Sequence, residues 1–126
     1  MGSTSNGIRR LFKSFRYAIN GLKEMLKTEQ NARVHLVVTV CVLMAGGLFS
    51  ISWLEWCIIL ICIALVWAAE AFNTAVEAIT DHLIKERNEN ARIIKDVSAG
   101  AVFVCALVSA VCVIIIFLPR LLDWLS

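Results

Sequence analysis

Two glutamates and an asparagine stand at the end of a long apolar run, where polar side chains need a specific reason to occur. At about 100° per residue, Glu70, Asn73, Glu77 and Asp81 lie along one stripe of a helix, with Glu70 and Glu77 roughly 10 Å apart along its axis. An ionised side chain at the centre of a bilayer costs about 2.5 to 3.5 kcal/mol, so such residues usually mark a functional site. Paired carboxylates can hold Mg²⁺ against phosphate oxygens, and a single carboxylate can act as a base. The stripe therefore predicts an acidic site at the edge of a membrane.

The elements that must position this stripe are membrane helices. The chain has 126 residues, of which 60% are hydrophobic, and it is predicted to form one small membrane domain, residues 1–126. Three apolar runs are long enough, or nearly so, to cross about 30 Å of hydrocarbon, and the helices expected from them cover residues 34–51, 54–79 and 97–118. Gly46 and Gly47 in the first run would let another helix approach closely, so a packing role is expected there. The predicted fold class is all-α, with three transmembrane helices.

A basic amphipathic segment, about residues 8–28, precedes the first apolar run. Its apolar side chains, from Leu11 to Leu26, recur at helical spacing, while Arg and Lys take the other positions. This pattern is typical of a helix that lies on a membrane surface. The sequence therefore predicts an amphipathic surface helix before the three spans.

The basic residues also predict an orientation. Seven Lys or Arg side chains fall within residues 9–33, and four more fall between the second and third runs. Cytoplasmic loops carry the excess of Lys and Arg in multi-pass proteins. We therefore expect the N-terminus and the acidic site in the cytoplasm and the C-terminus outside.

The connection between the second and third runs, residues 81–96, is densely charged and follows the acidic stripe directly. Its Lys and Arg side chains can offset phosphate charge while carboxylates hold Mg²⁺. A chain with these groups at a bilayer surface can phosphorylate a lipid. The sequence contains no P-loop and no Gly-rich kinase loop with its catalytic motifs, so it would belong to neither of those kinase classes. His35 and His82 each stand singly near a membrane boundary, where a structural or interfacial role is expected.

Two separated motifs resemble the signature of the small prokaryotic integral-membrane lipid kinases, which comprise the bacterial diacylglycerol kinases and the undecaprenol kinases. The first is Glu70-Ala71-Phe72-Asn73-Thr74-Ala75-Val76-Glu77 followed by Asp81, and the second is Lys95-Asp96-Val97-Ser98-Ala99-Gly100-Ala101-Val102. Residues 27–35 are similar to the N-terminal motif of the family, and residues 117–120 are similar to the end of its undecaprenol-kinase branch. The resemblance covers about residues 9–121. It implies a homotrimer in the bacterial inner (cytoplasmic) membrane, with active sites at subunit interfaces near the cytoplasmic face.

The resemblance also implies a role for each matching residue. Glu70 matches the general base that takes the proton of the lipid hydroxyl, and Glu29 and Glu77 match the carboxylates that bind the Mg²⁺ bridging the phosphates of ATP. Asn73 is expected to support them by orienting a carboxylate or a phosphate. The lipid-side contacts are Arg33, Glu70 and Ser98. The expected nucleotide contacts are Arg10 (with Arg9 as the alternative register), Tyr17, Glu29, Glu77, Glu86, Arg87, Asn88, Lys95 and Asp96.

One departure from the family pattern concerns the nucleotide. Many relatives carry Glu-Tyr-His where this chain has Glu86-Arg87-Asn88, so the aromatic and imidazole contacts are absent and nucleotide affinity or choice is expected to differ. For the acceptor, Asn31, Arg33, His35 and the ending at residues 117–120 favour undecaprenol over diacylglycerol, both of which present a primary hydroxyl. A diacylglycerol kinase that makes phosphatidic acid is the alternative. The expected partners are ATP, a lipid alcohol, the membrane and further copies of the chain, with no nucleic acid.

Two other classes of protein can use the same residues. In a small transporter, Glu70 and Glu77 would line a proton or cation path. Such a path needs polar residues through the whole span, whereas residues 54–69 are apolar apart from Glu55 near one end and weakly polar cysteines. In a non-catalytic assembly subunit the stripe would pair with a basic helix, which leaves Glu29 and the Lys95-Asp96 pair unexplained.

Overall fold

The computed structural model describes residues 2–126, with side chains from Thr4 onward, and there the chain forms four α-helices joined by short links. The helices are α1 (Gly2–Thr28), α2 (Gln30–Leu48), α3 (Trp53–Leu83) and α4 (Glu89–Leu125). α2, α3 and α4 are each long and apolar enough to cross a membrane. The prediction of an all-α protein with three candidate spans is confirmed, and the chain is a multi-pass membrane protein.

Each of the three long helices runs antiparallel to the one before it, so α2 and α4 point the same way. Lys95 pairs with Asp81, Ser109 donates to the carbonyl of Cys62, and Arg120 pairs with Glu55, so α4 returns along the whole of α3. We call the end where α3 stops and α4 starts the polar end, and the end that holds the α2–α3 turn the hairpin end. At about 1.5 Å per residue, the 31 residues of α3 extend roughly 46 Å, which exceeds the hydrocarbon thickness. α3 is therefore longer than the apolar layer is thick.

The hairpin end is the best-packed part of the chain. Ile51, Ile59 and Ile116 form a buried cluster there, and the Phe49 and Phe117 rings lie 6.1 Å apart between centroids. α2 ends at Leu48, three residues before the apolar run 34–51 does, because Ser50 takes a positive φ of 49° that no helix residue can hold. α3 then starts with a capping box in which Ser52 and Glu55 satisfy each other's backbone N–H groups.

The approach of α2 to α3 depends on Gly46, as the expected packing role requires. A Cβ atom at Gly46 would lie 2.6 Å from Cη2 of Trp56, whereas a Cβ atom at Gly47 would meet nothing within 4 Å. The two glycines are therefore not equivalent, since only Gly46 faces the neighbouring helix.

We expect Gly46→Ala to destabilise the protein by about 1 to 3 kcal/mol, because the added methyl group overpacks the contact with Trp56. Gly47→Ala is the matched control and should be neutral or stabilising, since Ala is the better helix former. Thermal unfolding in detergent checks both variants. Equal melting temperatures for the two would contradict the packing role of Gly46.

α1 packs on the other helices only near its C-terminal end, where Met25 is buried. Its apolar side chains Leu11, Phe12, Phe15 and Ile19 are exposed, so within the described chain they have no apolar surface to bury against. α1 and α2 are separated by Glu29 alone, whose extended backbone (φ −107°, ψ 120°) interrupts the helix. This break places Glu29 beside the polar end of α3.

Candidate active site

The acidic stripe of α3 passes from a buried region into an accessible one. Glu70 and Asn73 are 1% and 5% exposed, whereas Glu77 is half-buried and Asp81 is exposed. Counting from Trp53, Glu70 lies about 26 Å along the helix axis and Glu77 about 36 Å, so the edge of a 30 Å hydrocarbon layer falls between them. A hydrocarbon layer that started at Trp53 would thus include Glu70 and exclude Glu77.

Glu70 is a buried carboxylate without a hydrogen bond. Neither Oε1 nor Oε2 has a partner among the described residues, and the same holds for Oδ1 of Asn73 and Oγ1 of Thr74. The imidazole of His35 lies close by, with its Nε2 3.8 Å from Oε2 of Glu70, beyond hydrogen-bond range. A buried polar group with no partner is unfavourable, so three such groups on adjacent turns indicate a binding site rather than a structural network.

An acidic cleft opens directly beyond Glu70, between α1 and α3. Its volume is about 570 Å³, and small and apolar residues form about half of its lining. The polar residues that line it are Glu24, Thr28, Glu29, Thr74, Glu77 and Asp81. Glu29 is the N-cap residue of α2, but its side chain makes no capping hydrogen bond in the described chain. Glu29 lines the same cleft as Glu77. The structure thus places in one cleft the two carboxylates that the resemblance assigned to Mg²⁺.

The donor set of the acidic cleft fits Mg²⁺ bound together with phosphates. Carboxylate and hydroxyl oxygens are the hard ligands that Mg²⁺ prefers. Among residues 2–126, no three His, Cys, Asp or Glu side chains converge into a ready-made metal cage. Mg²⁺ commonly binds through one or two carboxylates plus substrate phosphates, and Glu29 and Glu77 can supply that share.

Charged side chains at the start of α4 form ion pairs at the polar end. Lys95 Nζ donates to Asp81 Oδ1 at 2.8 Å, Arg92 Nη1 donates to Asp96 Oδ2 at 2.8 Å, and Arg92 also pairs with Glu89. Lys95 thus lies beside the acidic cleft, while Asp96 is held by a neighbour on its own helix. These exposed pairs are worth little stability individually, so they can exchange partners readily.

The remaining expected contacts lie away from the acidic cleft. Arg10 lines a separate groove on α1 with Asn6, Arg9 and Lys13, and Tyr17 is 70% exposed. In the link between α3 and α4, the side chain of Asn88 caps α4 by accepting from the N–H groups of Asn90 and Ala91. The other members of this set are the exposed Glu86, Arg87 and Arg33 and the half-buried Ser98.

An apolar cleft of about 280 Å³ lies on the other side of Glu70, between α2, α3 and α4. Val66, one turn before Glu70, lines it, and His35 and Thr39 line its edge on α2. On α3, Val66 lines the apolar cleft and Thr74 lines the acidic cleft, and Glu70, which lines neither, lies between these two residues on the same face of the helix. The sequence did not reveal that His35 lies beside Glu70, because the two residues are on different helices, α2 and α3. The lining residue Glu24 was missed as well, and its only signal was an acidic side chain among the basic ones of α1.

These features define a class, a small multi-pass membrane enzyme whose acidic site opens at one end of a helical bundle. Residues 16–117 match the family described as prokaryotic diacylglycerol kinase, and the chain belongs to that family. It is 38% identical over 116 residues to an undecaprenol kinase of Bacillus subtilis (strain 168), a match that covers 92% of this chain and 94% of that protein.

Two further relatives are named diacylglycerol kinases. One, from Synechocystis sp. (strain ATCC 27184 / PCC 6803 / Kazusa), is 33% identical over 114 residues, which cover 90% of this chain and 65% of that protein. The other, from Haemophilus influenzae (strain ATCC 51907 / DSM 11121 / KW20 / Rd), is 31% identical over 101 residues, which cover 79% of this chain and 85% of that protein. All three names denote lipid kinases, so the recognition of the family from its motifs is confirmed.

Proposed function

We propose that this protein transfers the γ-phosphate of MgATP to the primary hydroxyl of a membrane lipid, with undecaprenol favoured over diacylglycerol. One observation carries the proposal: the buried carboxylate of Glu70, which has no hydrogen-bond partner among the described residues, stands between an apolar cleft and an acidic cleft. A lipid chain suits the apolar cleft, and the phosphates of a magnesium nucleotide suit the acidic one. Glu70 lies where a lipid hydroxyl and a phosphate would meet.

Glu70 acts as the general base in this proposal. It accepts the proton of the lipid hydroxyl as the oxygen attacks the γ-phosphorus. The new bond joins that oxygen to phosphorus, the bond between phosphorus and the leaving oxygen of ADP breaks, and the proton stays on Glu70. Phosphoryl transfer depends mainly on positioning and charge neutralisation, so a small bundle can supply what the reaction needs. Asn73, one turn from both Glu70 and Glu77, supports the carboxylates.

Glu29 and Glu77 would hold Mg²⁺. The bound ion neutralises phosphate charge, which the cleft needs because its four carboxylates would otherwise repel a nucleotide. Lys95 adds a cation at the same place by exchanging Asp81 for a phosphate oxygen. The further nucleotide contacts in this proposal are Arg10, Tyr17, Glu86, Arg87, Asn88 and Asp96, and the further lipid contacts are Arg33 and Ser98.

The membrane placement and assembly belong to the same proposal. The exposed apolar side chains of α1 support a surface helix that buries them at the membrane interface. The exposed location of Arg10 and Tyr17, away from the acidic cleft of their own subunit, supports a homotrimer in which neighbouring subunits complete each site. The distribution of Lys and Arg supports a bacterial inner-membrane protein with its N-terminus and polar end in the cytoplasm.

The preferred acceptor is undecaprenol because the relative of that name matches nearly the whole of both chains. The relatives named diacylglycerol kinase keep diacylglycerol as the alternative acceptor. A transporter is disfavoured by the buried face of α3, which presents Ile59, Cys62 and Val66 before it reaches Glu70. A conducting path would need polar groups along that face.

The first test is transfer of labelled γ-phosphate from ATP, measured in detergent with undecaprenol and diacylglycerol at equal mole fractions. We expect Mg²⁺-dependent formation of undecaprenyl phosphate, with a preference of at least about tenfold in kcat/KM, which corresponds to about 1.4 kcal/mol. Phosphatidic acid as the main product would make the protein a diacylglycerol kinase. Transfer to neither lipid would overturn the proposed reaction.

A further inference from the structure

His35 of α2 lies close to the buried carboxylate of α3. Its Nε2 is 3.8 Å from Oε2 of Glu70, and its ring makes no hydrogen bond within the part of the chain that the structure describes. The side chain is 20% exposed, so it is neither sealed in a core nor free in solvent. The ring and the carboxylate therefore face each other across a gap.

The width of this gap suits a single oxygen atom. Two groups 3.8 Å apart are too distant to bond each other, but both can reach an oxygen placed about 2.8 Å from each, with the two bonds meeting at roughly a right angle. An alcohol oxygen has the matching capacity, because its O–H donates to a carboxylate while a lone pair accepts from an N–H. Nε2 can donate in the imidazolium and in one neutral tautomer, so this arrangement does not depend on the charge of the ring.

Hydrogen bonds fix the backbone that carries His35. The indole Nε1 of Trp67 donates to Oγ1 of Thr39 at 2.9 Å, and that hydroxyl donates to the carbonyl oxygen of His35 at 2.6 Å. Trp67 lies one turn before Glu70 on α3. These hydrogen bonds therefore join the turn of α2 that carries His35 to the turn of α3 that precedes Glu70. They hold the imidazole of His35 and the carboxylate of Glu70 at the same level of the two helices.

The apolar cleft leads to this gap from the hydrocarbon side. His35 and Thr39 form its edge, and Val38, Val42 and Val66 continue the lining. The hydroxyls of Thr39 and Ser109 already donate to backbone carbonyls, so the imidazole of His35 is the polar group of this edge that is left for a ligand in the described chain. Glu70 does not line this cleft and is 1% exposed, so a chain-bearing alcohol in the cleft would meet His35 first and would reach the carboxylate beside the imidazole.

We infer that His35 positions the acceptor, donating from Nε2 to the hydroxyl oxygen of the lipid alcohol and holding that hydroxyl against Glu70. The inference rests on the proposed kinase function and adds a residue that recognises the acceptor rather than the nucleotide. His35 thereby selects for a lipid with a free hydroxyl. It takes no proton from the alcohol, because Glu70 does so.

The test compares His35→Leu, which removes the donor, with His35→Gln, whose amide keeps an N–H at similar reach. Loss of one such hydrogen bond is expected to lower kcat/KM for the lipid alcohol about tenfold in His35→Leu, with the KM for ATP and the melting temperature unchanged. His35→Gln should retain activity within about threefold. The matched control is His82→Leu, which changes the exposed histidine at the other side of the polar end and should leave the lipid kcat/KM as in the wild type.

A deoxy analogue of the lipid, which lacks the hydroxyl, separates recognition of the hydroxyl from packing of the chain. As a competitive inhibitor it should bind the wild type and His35→Leu equally well, whereas His35→Leu should bind the alcohol less tightly. The inference is overturned if the lipid kcat/KM of His35→Leu stays within twofold of the wild type. It is also overturned if both His35 variants bind ATP more weakly and melt at a lower temperature than the wild type. A wild-type protein that transfers phosphate to no lipid would overturn the proposed function, and the inference with it.

Discussion

Glu70→Gln is expected to abolish phosphate transfer to the lipid while ATP binding stays within about twofold of the wild type. General-base catalysis contributes about 10²- to 10⁴-fold, and an amide cannot accept the proton. Gln keeps the size and shape of Glu, and the Glu70 site is 1% exposed, so the variant should fold without a new cavity. Single-turnover transfer of labelled phosphate measures the chemical step, and equilibrium binding of a non-hydrolysable ATP analogue measures the nucleotide site.

The matched control for this prediction is Glu89→Gln. Glu89 is an exposed glutamate whose partner is Arg92 on the first turn of α4, outside both clefts. The Glu89→Gln variant should transfer phosphate at the wild-type rate. Near-normal turnover by Glu70→Gln would show that another group removes the proton. If Glu70→Gln bound ATP more weakly and also melted at a lower temperature, Glu70 would have a structural role instead.

The sequence predicted the three candidate spans and the acidic stripe because both follow from local periodicity. Glu70, Asn73, Glu77 and Asp81 share a face whatever the rest of the bundle does, and an apolar run of sufficient length has few alternatives in a membrane. The helix ends were harder to predict. α2 stops at Leu48 because of the turn at Ser50, a backbone choice that hydropathy does not report.

The contacts between helices had no local signal. The distinct roles of Gly46 and Gly47 depend on the side of α2 that meets Trp56, and the approach of His35 to Glu70 depends on the antiparallel register of α2 and α3. Oδ1 of Asn88 caps α4, which the sequence did not predict, and the expected contact of Asn88 with the nucleotide stays a prediction. The roles of Arg10, Tyr17, Glu86 and Arg87 stay predictions, because the contacts within a single chain do not test a contact with the nucleotide.

Glu29→Gln and Glu77→Gln are each expected to raise the Mg²⁺ concentration that gives half-maximal transfer by at least about tenfold. Even a group that only supports a metal ligand changes metal affinity by about 10- to 100-fold, so loss of a ligand should do no less. Both side chains line the acidic cleft with Glu24 and Asp81, so each variant also removes a like charge from that cleft. Without Mg²⁺ the variants should therefore melt no lower than the wild type, and the stabilisation that Mg²⁺ with nucleotide adds should shrink.

The double variant distinguishes one shared ion from two separate effects. If Glu29 and Glu77 hold the same Mg²⁺, the second substitution should cost less than the first, because residues that share a partner are not additive. Full additivity would place them at independent sites, and an unchanged Mg²⁺ dependence in both single variants would remove Mg²⁺ from the acidic cleft. Glu70→Gln should leave the Mg²⁺ dependence of nucleotide binding unaltered, since in the proposed reaction Glu70 meets the lipid hydroxyl, while Glu29 and Glu77 meet the metal.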